Sequence, residues 1–229
     1  MRIWGWGLTM LVAVPWPARA DAQQRPALIA VLPFENSGSY GQDKEVFEAL
    51  ELGLPAMLAG TLDRHPGIAV AERGRVSAAL SAAGLGPRQR VDAATAAQVA
   101  KALGARYTVT GSFADFYGKF RINARLVDAQ SGKILKVVSN DDPKLQDRAQ
   151  LAAILETVGQ RITAAAGLPE GESESQPAIP TDAIADYSRG LLHESRGDRS
   201  RALDFYQRAV TAFPQFEAAE AGLRRVGGP

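Results

Sequence analysis

Ala27-Leu28-Ile29-Ala30-Val31-Leu32-Pro33-Phe34 is an unbroken apolar run. That pattern marks a strand buried on both faces rather than one with a wet side. The chain around it supplies what such a strand packs against. Glu35 to Gly41 is a polar, glycine-containing loop, and from Asp43 to Leu62 apolar residues recur at helical spacing: Val46, Phe47, Leu50, Leu54, Leu58 and Leu62. Pro55 interrupts that series, which predicts a kink or two separate helices. After the turn His65-Pro66-Gly67, residues Ile68 to Ala71 read as a short strand. Glu72 to Ala83 and Ala93 to Leu103 read as helices stopped by Gly84 and Gly104, the second capped by Asp92. Three strands follow in series over 106–116, 120–128 and 134–139, the middle one alternating Phe120, Ile122, Ala124 and Leu126 with Arg121, Asn123 and Arg125. Tyr117-Gly118-Lys119 and Asp128 to Gly132 turn the chain between them. A helix over 145–166 closes the unit. The order β-α-β-α-α-β-β-β-α predicts an α/β sandwich of two or three layers, with a mixed sheet parallel early and antiparallel late.

Upstream, residues 1–20 have the three parts of a secretory signal. Arg2 gives a positive start, Ile3 to Trp16 is mainly apolar, and Ala18-Arg19-Ala20 presents small residues for cleavage after Ala20; Ala20-Asp21-Ala22 fits the same rule. The apolar core is shorter than a membrane span of about 20 residues. Pro15 and Pro17 also interrupt it. The expectation is an exported, periplasmic protein that does not span the membrane.

The chain of 229 residues has no cysteine, which excludes disulfides, thiolate metal sites and a cysteine nucleophile, and predicts that the protein is not a lipoprotein. It carries 26 Lys and Arg against 25 Asp and Glu. Loss of Arg2 and Arg19 with the signal tips that balance slightly negative. Nucleic acid is therefore not an expected partner.

Leu168 to Thr181, LPEGESESQPAIPT, is too polar and proline-rich to bury a core and reads as a linker. It divides the mature chain into a main domain over 26–167 and a tail over 182–226. The tail reads as an all-α helical hairpin with a capping helix through Phe216, Ala219, Leu223 and Val226.

Ile29-Ala30-Val31-Leu32-Pro33-Phe34-Glu35-Asn36 resembles the opening of the TolB amino-terminal-like and curli-assembly CsgG-like domains. Val99-Ala100-Lys101-Ala102-Leu103-Gly104-Ala105-Arg106-Tyr107, then Val109-Thr110-Gly111-Ser112, then Arg121 to Asp128 before Ser131-Gly132-Lys133, continue the likeness in order over most of 27–140. The resemblance implies a periplasmic α/β module for outer-membrane or cell-envelope assembly, or another protein–protein contact. Channel-forming members carry a lipid anchor and membrane-inserted hairpins. Here the hairpin turn is tight, and Arg121 and Arg125 would sit badly in lipid. The tail, through Ala185-Asp186-Tyr187-Ser188-Arg189-Gly190-Leu191-Leu192, Gly197-Asp198, Ala202, Tyr206, Ala209 and Pro214, is similar to a single tetratricopeptide (TPR) repeat. Asp186, Arg189 and His193 stand where that repeat usually has Trp, Leu and Tyr. One repeat cannot bury its own apolar face, so the tail needs the main domain, a second copy or a partner to lean on.

No catalytic set emerges, and the chain reads as non-enzymatic, with no cofactor and no metal. His65 and His193 lie in different regions and read as solvent-facing. Ser37, Ser39 and Ser77 have no base at a telling spacing. Asn36-Ser37-Gly38-Ser39-Tyr40-Gly41 follows a buried strand and precedes a helix, where backbone N–H groups can bind an anion, but it lacks both phosphate-binding glycine motifs. It reads as a connecting loop, or as a contact through Asn36, Gly38, Tyr40 and Gly41. Arg121 and Arg125, with Lys133 and Lys136, form a basic stripe that either guards a sheet edge or meets an acidic protein. Tyr187, Leu191 and Tyr206 are the tail's candidate contacts. The function expected is a binding or scaffold role towards another envelope protein, with self-association open; the alternative is a sensor holding a small ligand at 35–41.

Overall fold

A computed structural model describes residues 25–41, 43–86, 89–140, 145–169 and 177–228. The signal segment, its cleavage point at Ala20 and the middle of the linker lie outside these residues. The buried run becomes strand β1 (Ala27–Asn36), followed by helix α1 (Lys44–Asp63), strand β2 (Ile68–Val70) and helices α2 (Arg73–Ala82) and α3 (Ala93–Leu103). The meander is β3 (Tyr107–Phe116), β4 (Lys119–Asp128) and β5 (Ile134–Ser139). A two-residue strand β6 (Gln146–Asp147) and helix α4 (Leu151–Ala165) follow. Helices α5 (Thr181–Ser195), α6 (Arg199–Ala212) and α7 (Glu217–Gly227) form the tail.

The sheet runs β2-β1-β3-β4-β5, with β6 added to β4. β1 is parallel to both neighbours, and the meander is antiparallel. Ile29 and Val31 point into a core with α1 and α4, whereas Ala30 and Leu32 point into a second core with α2 and α3. Helices therefore cover both faces, and the sandwich has three layers. Pro33 sits in this central strand because the register with β3 shifts between Val31 and Phe34, and a bulge tolerates the missing N–H. The shift turns Phe34 onto the α1 face. Its ring comes so close to Gly111 that a Cβ there would stand 2.7 Å from it.

Two expectations are corrected. Of the two outcomes expected at Pro55, the separate helices are not found: α1 is one element of 20 residues. Leu54, Leu58 and Leu62 bury on the same core beyond the missing N–H, and that burial outweighs one lost hydrogen bond. The last helix of the main unit starts at Leu151, not 145, because Gln146 and Asp147 pair with Phe120 and Lys119. Asn140 binds the Gln146 side chain at 3.0 Å, and Asp147 accepts from the Ala149 amide at 2.9 Å, starting a single 3-10 turn.

The tail leans on the main unit. Ile184 of α5 belongs to the α1–α4 core. Gly53 lets α5 approach so closely that a Cβ at that position would lie 1.8 Å from Ser188 Oγ. Charges seal the seam: Arg196 pairs with Glu48, and Arg73 of α2 reaches Glu194 at 3.2 Å. Glu194 also takes two bonds from Arg225 of α7, at 2.6 and 2.7 Å, and one from the Tyr206 hydroxyl at 2.5 Å. Burial pushes the Glu194 carboxyl upward, but the bonds from Arg225 and Tyr206 and the nearby guanidinium charges outweigh it and hold the group at about 2. Burial, then the carboxylate beside it, pushes the Tyr206 hydroxyl up.

Candidate partner-contact site

The loop after β1 does not wander. Asn36 Oδ1 accepts from the Gly38 amide at 3.3 Å, the Ser39 amide at 3.0 Å and the Ser39 hydroxyl at 2.8 Å. The Ser37 amide donates to the Phe113 carbonyl, and the Tyr40 amide to that of Asp115, both at 2.8 Å. The Ser39 hydroxyl takes the Asp115 amide at 3.1 Å. The amides of residues 37 to 40 are thus all donated to the protein itself, which weakens the anion-binding reading of this loop. Gly38 and Gly41 have φ of 121° and 143°, conformations that side chains rarely adopt, and these let the loop lie along β3.

This path delivers Tyr40 to the tip of the β3–β4 hairpin, where it bridges to Phe116. The hairpin turns through Tyr117 and Gly118 alone, with φ of 52° and 86°. Both values are positive, as in a type I′ turn, which favours Asn, Asp or Gly. A tyrosine in the first place costs backbone energy that a smaller residue would avoid. Yet Tyr117 is 85 % exposed, with Tyr40 at 56 % and Phe116 at 39 %. Tyr40 stacks beside Tyr117 with ring centres 6.3 Å apart, and lies 5.9 Å from Phe116.

The turn beneath is firmly held. Asp115 is buried and accepts from the Gly118 amide at 2.7 Å, and Arg148 brings its guanidinium within 2.9 Å of the other carboxylate oxygen. The Arg148 amide donates to the Gly118 carbonyl at 2.7 Å, and the Thr181 hydroxyl donates to the Arg148 carbonyl at 3.1 Å. The start of α5 is tied in this way to the root of the hairpin tip. Three exposed rings on a braced turn make a rigid apolar surface, the kind that anchors a protein contact at small entropic cost.

The other candidates separate. Arg121 and Arg125 lie half-buried on the sheet face shared with α2 and α3. Tyr187, Leu191 and Tyr206 are buried together with Phe216 and Ala219, so they hold the tail rather than face a partner. A Cβ at Gly190 or Gly222 would meet the Tyr206 ring at 2.5 or 2.7 Å. The expectation for His193 is corrected: it is only 3 % exposed, stacked on Phe205 at 5.2 Å, with Glu45 at 3.5 Å and Asp198 at 3.6 Å. It fills the seam between α1 and the tail. His65 is spent on its own turn, accepting from the Gly67 amide at 3.0 Å and meeting the Pro169 carbonyl at 2.9 Å. Phe116 and Tyr117 are the exposed tip residues that a linear reading passes over, since Tyr-Gly before Lys119 looks only like a turn. The signal was an aromatic where that turn favours Asn or Gly.

The protein is thus a three-layer α/β sandwich with a docked helical tail and an exposed aromatic hairpin tip. No family model matches the chain, and no curated protein matches it. Solved structures similar to it include the LpoB C-terminal domain from Salmonella enterica, at 17 % identity and a TM-score of 0.41 over 52 % of this chain and 84 % of that one. The lipoprotein GNA1162 from Neisseria meningitidis is similar at 18 % identity and 0.38, over 60 % of this chain and 97 % of that one. TolB from Acinetobacter baumannii is similar at 16 % and 0.37, over 62 % of this chain and 28 % of that one. Among the described residues, no helix is long and apolar enough to cross a membrane.

Proposed function

We propose that the chain is an exported, periplasmic binding or scaffold protein of the cell envelope. It acts by protein contact through the Tyr40–Phe116–Tyr117 tip. The observation that carries this reading is Tyr117: a bulky ring in a left-handed turn position, almost wholly exposed, beside two more exposed rings. Folding alone favours a smaller residue there and favours burying the rings. The signal-like segment at 1–20 and the near-balanced charge support export and a protein rather than a nucleic-acid partner.

The test places a photo-crosslinking phenylalanine analogue at position 40 or 117 in cells that make the protein natively, with position 207 on the exposed side of α6 as control. A discrete adduct from 40 and 117, absent from 207, is expected. Adducts from 207 alone, or from none, count against the reading. Amino-terminal sequencing of the same material should begin at Asp21.

A further inference from the structure

The two edges of the sheet are finished differently. β2 is three residues long, and the Val70 amide is taken by Asp63 at 3.2 Å, so this edge offers little to another chain. β5 has six residues and pairs with Asn123 to Val127 of β4, the half of that strand away from the aromatic tip. Among the described residues, no strand pairs with the outer side of Ile134 to Val138. Ile134, Leu135 and Val137 are 45, 47 and 54 % exposed. Soluble proteins avoid a free edge bearing β-branched apolar residues unless something covers it.

Among the described residues, the charged side chains along the edge are positive. Lys133 and Lys136 are exposed beside it, Arg125 pairs across from Val137, and Arg161 reaches the Ser139 carbonyl at its end. Among the described residues the acid near this edge is Asp128, which is turned onto its own loop, where it accepts from the Ser131 amide and hydroxyl, each at 2.7 Å. Two copies joined β5 to β5 would bring these cations together, so self-pairing is disfavoured.

We infer that β5 is a strand-addition site for an extended segment of another protein in which acidic and β-branched residues alternate. Main-chain hydrogen bonds would supply affinity, and the exposed Lys133 and Lys136 charges would select the acidic side chains.

The probe is a fluorescent Glu-Val-Glu-Thr-Glu-Val peptide titrated against the mature chain, with Lys-Val-Lys-Thr-Lys-Val as its charge-reversed counterpart. The acidic peptide should bind about tenfold or more tightly than the basic one, and should slow amide exchange over 134–139. The Lys133→Glu/Lys136→Glu variant should reverse that preference with its melting temperature unchanged, since both side chains are exposed. The Tyr117→Asn variant should bind the peptide as the parent does, which separates this site from the aromatic tip. Equal binding of the two peptides, protection elsewhere than β5, or a dimer in sedimentation whose β5 amides are protected without peptide would each overturn the inference.

Discussion

The seam between α1 and the tail and the far end of the meander are both built from aromatic, apolar and charged residues, and they use them in opposite ways. At the seam the rings of Tyr187, Tyr206 and Phe216 are buried, glycines remove the last steric obstacle, and Glu194 meets two arginines and a hydroxyl. At the meander the rings of Tyr40, Phe116 and Tyr117 stand in solvent, and a residue with a Cβ occupies the left-handed position where glycine would relieve strain. The hydrogen bonds beneath them hold the turn and leave the rings free. The difference separates rings spent on packing from rings left in solvent. Apolar content alone does not distinguish them; exposure and backbone cost do.

The largest effect should come from spoiling the seam. Gly53→Leu pushes a side chain into Ser188 and should cost about 3 kcal/mol in urea denaturation. Ser188→Gly should rescue part of that loss, and Ser188→Ala should not, because Ser188 Cβ itself would lie 2.5 Å from a Cβ at Gly53. A middle effect should follow from Glu194→Gln, about 2 kcal/mol at neutral pH after screening by solvent. The Glu194 carboxyl is held below its ordinary value of 4.5, at about 2. Its contribution is therefore complete above the unfolded value and lost as pH falls through the folded one. Parent and variant should converge in stability between about pH 4.5 and pH 2 in acid titrations, and a gap that persists at pH 2 would place the stabilisation elsewhere.

Much of this was legible in the sequence, for identifiable reasons. The run at Ala27 to Phe34 is continuously apolar and the stretch Phe120 to Asp128 alternates with the two-residue period, and both became strands of a sheet that is parallel early and antiparallel late. The Asp92 cap is realised: its carboxylate accepts the Thr95 amide at 2.8 Å. What failed depends on contacts distant in sequence. Pro55 looks like a break until the core that holds both halves of α1 is known. His193 reads as polar and exposed because the stacking ring of Phe205 and the Glu45 carboxylate come from other helices. Tyr187 and Tyr206 carry the helical period, but periodicity cannot say whether a face meets solvent, a partner or the chain's own α7. The aromatic tip was half legible: Tyr40 stood out in its loop, while Phe116 and Tyr117 joined it only once the loop was seen to run along β3.

The smallest effect on stability should accompany the largest on contact, and that pairing tests the central claim. Tyr117→Asn places a residue suited to the left-handed turn where tyrosine now stands. The measurement is its unfolding free energy together with the yield of the adduct formed by the crosslinker at position 40. The account predicts stability unchanged or raised by up to about 1 kcal/mol, with the adduct reduced at least tenfold. A variant that loses several kcal/mol while its adduct persists would show that Tyr117 serves the fold, and would contradict the assignment of the meander tip as the contact surface.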